Sequence, residues 1–269
     1  MLKEPIGILD MGIEGVAVLE TLTKNFPNEN FVYTNDFIHF PYEGYKKEEV
    51  LSFVNDKIEL LNTYNPKFII IVSDTIFDIC HEDFKNKGEI IFSVPSIIQF
   101  INSKYSYKSL LLLARKSVIE ANLYQKFFKY SQLTSLASDT IESILNKGNV
   151  KISETFEEIE NISLLMQKKE IDLIIPSAPF LTALKTEFLE YFPDTVVIDS
   201  GDAISEVIRN KISSEKNKGK TIIITTDTKK KFKQKTKWLN LKYRYKQIMP
   251  LINENQISID KMIEKSIKE

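Results

Sequence analysis

Nine short apolar runs, separated by amphipathic stretches, constrain this chain more than any other feature. They are residues 5–10 (PIGILD), 30–34 (NFVYT), 67–73 (KFIIIVS), 89–94, 109–114 (SLLLLA), 149–152, 172–176 (DLIIP), 195–198 and 221–225. Runs that are apolar on both faces, Lys67 to Ser73 above all, read as strands buried in a parallel sheet. Between the runs, residues 14–25 and 47–64 carry apolar side chains at i, i+3 and i+4, the pattern of an amphipathic helix. Further helices are expected over 117–130, 139–145, 155–169, 178–191, 202–213 and 229–240. Strands and helices alternating in this way build parallel sheets through right-handed crossovers, so the expected class is α/β.

Composition excludes several functional classes. A chain of 269 residues has room for two domains. With 43% hydrophobic residues, 27% charged residues and a net charge of −1, it lies outside the disordered class. The longest aliphatic stretches, Phe68 to Val72 and Leu110 to Ala114, fall far short of the ~20 residues of a membrane helix, so no membrane span is expected. The first five residues have no apolar core, and no secretory signal is expected. Cys80 is the single cysteine, which rules out an intramolecular disulfide and suits a reducing, cytoplasmic setting. Two isolated histidines, His39 and His81, and no cysteine cluster give no expectation of a metal or other cofactor.

The two halves echo one another. In each, an apolar strand ends in serine: FIIIVS at Ser73 and DLIIPS at Ser177. Ligands of open parallel sheets bind at the carboxyl ends of strands, so the two serine-bearing loops would serve one shared cleft. Around them lies an ordered set of landmarks. Ile6 to Gly15 (IGILDMGIEG) is followed by Phe26-Pro27-Asn28-Glu29 with Phe31-Val32-Tyr33, and by Asp36 with Pro41-Tyr42. Then come Val72-Ser73-Asp74-Thr75, Pro176-Ser177-Ala178-Pro179, Ile198-Asp199-Ser200-Gly201, and Thr225-Thr226-Asp227 with Phe232 and Trp238-Leu239. Taken in order, these resemble the landmarks of glutamate racemase and of the wider aspartate/glutamate racemase superfamily.

The resemblance implies two Rossmann-like parallel-sheet domains, related by pseudo-two-fold symmetry and facing an interdomain cleft. Here they would be residues 1–97 with 212–269, and 98–211. In the family one cysteine from each domain flanks the substrate α-carbon, one thiolate removing the proton while the opposite thiol donates one. Cysteine suits the task because its pKa of ~8.5 is readily tuned. Those cysteines align with Ser73 and Ser177. A hydroxyl is a much weaker acid and needs an adjacent base. Asp10, the first cysteine's carboxylate partner, is retained, whereas the histidine beside the second is Pro179. Cys80, seven residues past Ser73, is expected in the core. His39 is the remaining candidate base and His81 a surface residue.

The resemblance also places Met11, Pro41, Tyr42, Glu43, Asp74, Thr75, Ser117 and Ala178 around the substrate. Met11, Glu43, Asp74 and, beside Ser117, Glu120 replace smaller or neutral family residues. The three acids add negative charge near Asp10, and like charges 4 Å apart repel by ~1 kcal/mol in water and ~4 kcal/mol at an effective dielectric of 20. That disfavours a dicarboxylate and favours a cationic ligand, unless some of these side chains turn to solvent.

Residues 229–246 carry eight lysines and one arginine without an acid, interleaved with Phe232, Trp238, Tyr243 and Tyr245, which leaves the remainder of the chain at −10. In a chain with 33 lysines and three arginines the expectation is a solvated helix with Phe232 and Trp238 inward; the alternative is a footprint for nucleic acid or another anionic surface.

The expected function is that of a degenerate, non-racemising glutamate racemase homologue binding a small amino-acid-like ligand or a partner in or around the cleft. One alternative is an active amino-acid racemase or isomerase supplying cell-wall D-glutamate, or a superfamily lyase, using Asp10, Ser73 and Ser177. Another is an anionic-surface binder through Lys229–Lys246. Partners implied by the family are a second copy of the chain and DNA gyrase.

Overall fold

The computed structural model describes residues 2–84, 89–148, 150, 152–212, 218–239 and 241–248. The first half runs β1 (Ile6–Asp10), α1 (Gly15–Asn25), β2 (Phe31–Asn35), α2 (Lys47–Asn62), β3 (Ile69–Val72), α3 (Asp74–Cys80), β4 (Ile90–Phe92) and α4 (Ser93–Lys104). The second runs β5 (Lys108–Ala114), α5 (Lys116–Glu120), β6 (Tyr130–Ala137), α6 (Asp139–Asn146), α7 (Ser153–Met166), β7 (Leu173–Pro176), α8 (Lys185–Tyr191), β8 (Val196–Val197) and α9 (Ser200–Ile208). The chain then forms β9 (Thr221–Thr225), α10 (Lys229–Lys235) and β10 (Arg244–Gln247).

The strands form two wholly parallel sheets, ordered β10-β9-β2-β1-β3-β4 and β6-β5-β7-β8. Within the first, the series β2-β1-β3-β4 has the same order as the entire second sheet, so each half repeats one open parallel arrangement. Register makes the repeat specific. Asp10 of β1 pairs with Val72 of β3, and Leu113 of β5 pairs with Pro176 of β7. Ser73 and Ser177 are the next residues, at the same position of the two halves.

Local sequence explains why the halves face each other. The apolar face of α1, with Val16, Leu19 and Leu22, is buried, and the helix stops at Asn25 because Pro27 forces Phe26 out of helical geometry. One buried cluster runs from Ile8 and Tyr33 of the first sheet through α1 to Leu111 and Ile174 of the second, so a single apolar core joins the two. Helix α9 crosses α1 at Gly201, where a Cβ would sit 2.5 Å from the Cβ of Thr21. Asp199 caps α9 by accepting from the Gly201 N–H at 2.7 Å and also accepts from the Thr21 hydroxyl at 3.0 Å.

Four elements differ from the sequence expectation, the first being helix α4, which directly follows β4 and was not among the expected helices. The helix expected over 117–130 is only the single turn of α5 followed by turns, and the chain then forms β6, the longest strand. No apolar run marks β6 because it is an edge strand: it pairs with β5 alone and its residues are exposed or half-buried. The strand expected over 149–152 falls partly outside the described residues; of the rest, Val150 is buried but not in a strand. The basic segment is not one helix. Helix α10 ends at Lys235, and Arg244–Gln247 add β10 to the edge of the first sheet. Phe232 is fully buried and Trp238 half-buried against the same core, as expected.

Candidate active-site cleft

The carboxyl ends of β1, β3, β5 and β7 converge on one inner cavity of about 40 Å³. Asp10, Met11, Ser73, Asp74, Thr75, Ser177 and Ala178 line it, together with Gly12, Glu14, Phe40, Ser93, Arg115, Glu142 and Pro179. A volume of this size holds a few water molecules and is far below the ~300 Å³ or more of a small-molecule pocket.

Asp10 is almost wholly buried. Its Oδ1 accepts from the Gly12 N–H at 3.1 Å, and its Oδ2 from the Gly15 N–H at 2.7 Å and the Tyr33 hydroxyl at 2.8 Å. Burial, and then the charge of Glu14, raise its pKa to about 7 against the pull of those hydrogen bonds. Across the cavity, burial raises Asp74 to about 6, moderated by hydrogen bonds from Tyr124, at 2.8 Å, and Ser177. The Ser73 hydroxyl oxygen accepts from the Ile76 N–H at 3.2 Å and caps α3, an arrangement worth ~1 kcal/mol.

The dominant electrostatic feature is Arg115, directly after β5. Its guanidinium meets Glu142 through Nε at 2.6 Å, Glu14 through Nη2 at 2.7 Å and Glu43 through Nη1 at 3.2 Å. Burial alone would lower the arginine pKa, but Glu14, Glu142 and Glu43 outweigh it and hold the charge. Glu142 is buried, accepts from the Ser138 hydroxyl at 2.6 Å, and has its pKa raised by burial and by Glu14. Phe40, Arg115 and Glu142 also line an outer hollow of about 390 Å³ containing Pro41, Glu43 and Ser117. They therefore stand between the inner cavity and the hollow. Arg115, Glu14 and Glu142 were not singled out in the sequence; the available signal was that Arg115 is one of three arginines and follows the carboxyl end of a buried strand.

No family model matches the chain. A glutamate racemase of Clostridium novyi is 26% identical over 222 residues, 80% of this chain and 86% of that one. Among solved structures, a glutamate racemase of Bacillus anthracis superposes with a TM-score of 0.79 at 20% identity, covering 94% of this chain and all of that one. The glutamate racemase of Francisella tularensis in complex with D-glutamate gives 0.75 at 19% identity over 93% and 98%. This chain is similar in sequence to glutamate racemases over most of its length and shares the fold of their solved structures.

Within this racemase-like frame, several expected residues lie elsewhere. Tyr42 is fully buried and donates to Asp36 at 3.1 Å, so it does not reach the cavity. Pro41, Glu43 and Ser117 border the outer hollow only. His39 is held by Asp36 at 2.7 Å and stacks on Phe53 at 3.8 Å, away from the inner cavity. Glu120 is exposed and 3.8 Å from Lys116, so of the three added acids it is the one turned to solvent. Cys80 is buried in the apolar cluster behind β3, where burial pushes its thiol up to about 11. His81 is half-exposed beside Glu82. Among the described residues no helix is long and apolar enough to cross a membrane.

Proposed function

We propose that the chain is a racemase homologue that does not racemise glutamate and that binds a small ligand, amino-acid-like in chemistry, or a partner in or around the cleft. The observation that carries this reading is that the carboxylates nearest the serines are already engaged: Asp74, which accepts from Ser177, is also held by Tyr124 at 2.8 Å. The carboxyl oxygens of Asp10 are engaged by Gly12, Gly15 and Tyr33, and the Ser73 hydroxyl oxygen gives one of its two lone pairs to a helix cap. Cys80 cannot stand in, being buried outside the cavity. Among the described residues the one cation lining the inner cavity, Arg115, is already bound by three carboxylates, which leaves a dicarboxylate no unspent positive charge from them.

A second reading has its own support. Asp10 near 7 and Asp74 near 6 share one buried cavity, and carboxyls tuned toward neutrality suit general acid–base work. On that reading the protein is an isomerase or lyase acting through Asp10, Asp74 and the two serines, and glutamate remains among its candidate substrates.

Incubation with L-glutamate, D-glutamate and aspartate in D₂O, followed by NMR of the α-proton, separates the two. No exchange above a protein-free control is expected. Exchange that disappears in the Asp74→Asn variant would establish the second reading instead.

A further inference from the structure

Outside the cleft, the most unusual surface is the edge of the first sheet. Among the described residues, lysines elsewhere often meet carboxylates: Lys24 with Glu20, Lys47 with Asp83, Lys67 with Glu29, Lys108 with Asp172. Of the nine cations of residues 229–246, one follows that pattern among the described residues. Lys235 pairs with Asp227, and Lys246 donates to the Tyr64 hydroxyl and lies over its ring. The other seven form no ion pair among the described residues, and all seven are exposed.

Their placement follows from the way the segment folds. Phe232 is buried, packs edge-on against Tyr243 at 5.8 Å and meets Tyr245 of β10, which fixes α10 over β10. Lys229 and Lys233 share one helix face, and Lys233 and Lys237 border one hollow beside Tyr243. Residues alternate sides along a strand, so Arg244 and Lys246 point away from Tyr245, which lies 6.1 Å from Phe232. The cations therefore wrap the sheet edge on both sides.

We propose that this edge is a binding surface for the phosphate backbone of a nucleic-acid duplex, independent of base sequence. The charge selects a polyanion. The side chains choose among polyanions. No large exposed apolar residue lies in the segment to enter a lipid interface. Phe232 is buried and Trp238, Tyr243 and Tyr245 are half-buried, so no open aromatic platform is offered to unstacked bases. One arginine among eight lysines gives little means of reading base edges.

The test is fluorescence anisotropy of the full chain with a labelled DNA duplex of about two helical turns, titrated between about 50 and 200 mM salt. Saturable binding is expected, indifferent to base sequence and falling steeply with salt. The triple variant Lys229→Gln, Lys233→Gln, Lys237→Gln is expected to lower the slope of log K against log salt by about 3, one per phosphate contact removed. These side chains are exposed, so an unchanged melting curve will confirm that the variant folds. A control triple variant of paired lysines, Lys24→Gln, Lys47→Gln and Lys108→Gln, is expected to keep the wild-type slope. Absence of saturable binding at about 50 mM salt, equal loss in both triple variants, or binding to anionic lipid vesicles without binding to the duplex would each overturn the proposal.

Discussion

Arg115 donates from Nε to Glu142 at 2.6 Å, and the same guanidinium reaches across to Glu14 at 2.7 Å and Glu43 at 3.2 Å. Arg115 and Glu142 belong to the second half of the fold, Glu14 and Glu43 to the first. The cluster thus ties the two halves together at the mouth of the inner cavity. Its value lies in completeness, because a buried carboxylate that loses its only cation is far costlier than the intact pair is favourable. Arg115→Met is expected to lower stability by about 3–5 kcal/mol in urea unfolding at neutral pH. The loss should shrink in acid, where Glu142, whose pKa is already raised, takes up a proton instead of remaining a buried anion. An equal loss at both pH values would assign the effect to packing of the arginine stem.

Stability should also carry the signature of Asp10. Its carboxyl titrates at 3.8 when unperturbed and near 7 in the fold, so between those values the folded state holds more protons than the unfolded one. Its contribution is complete below about pH 4 and is lost as the pH rises through 7. Asp74, raised to about 6, acts in the same direction over a narrower window. Denaturant midpoints compared between wild type and Asp10→Asn should diverge with pH, the wild type losing relatively more stability from about pH 5 to 8. A difference that stays constant over that range contradicts the assignment.

How far the sequence revealed the fold depended on burial. Strands β1, β3, β5 and β7 are covered on both faces and announced themselves as apolar runs; their carboxyl ends deliver Asp10, Ser73 and Ser177 to one cavity. Strand β6 (YSQLTSLA) stayed hidden because an edge strand needs no continuous apolar face, while Val118, Tyr124 and Phe128 imitate helical spacing from a short helix and a turn. Strand β10 was masked by the charges of Arg244 and Lys246. The cleft acids were legible as residues but not as geometry. Glu43 and Glu120 look equivalent in sequence, yet one binds Arg115 and the other turns outward beside Lys116. Arg115 depended on tertiary pairing with carboxylates 101, 72 and 27 residues away, which no local pattern encodes.

Cys80 offers a clean probe of unfolding. It is the single cysteine, fully buried, with a thiol pushed up to about 11 by burial and then by Asp83. Both thiolate fraction and access are low, so a disulfide reagent at neutral pH should react far more slowly with the native chain than with the chain in urea. In mild denaturant the rate should track the population of the open form. Fast labelling of the native protein would mean that β3 and α3 part from their neighbours without global unfolding, which would place the wall bearing Ser73 among the mobile elements.

Replacing both serines by cysteine, Ser73→Cys with Ser177→Cys, restores the two thiols that the resemblance implies for catalysis. The expected outcome is nonetheless no α-proton exchange from glutamate in D₂O above the protein-free control. The reasons are independent of sulfur. Arg115 is consumed by Glu14, Glu43 and Glu142; the carboxyl oxygens of Asp10 are already engaged; and the inner cavity of about 40 Å³ cannot admit an amino acid unless the halves separate. Adding Glu43→Gln to the double variant removes the most exposed of the three carboxylates and relaxes the hold on Arg115. Exchange in the triple variant but not in the double would locate the divergence in recognition. Exchange already in the double variant would mean that two side chains alone separate this chain from a working racemase, and that the ionic cluster opens readily for substrate.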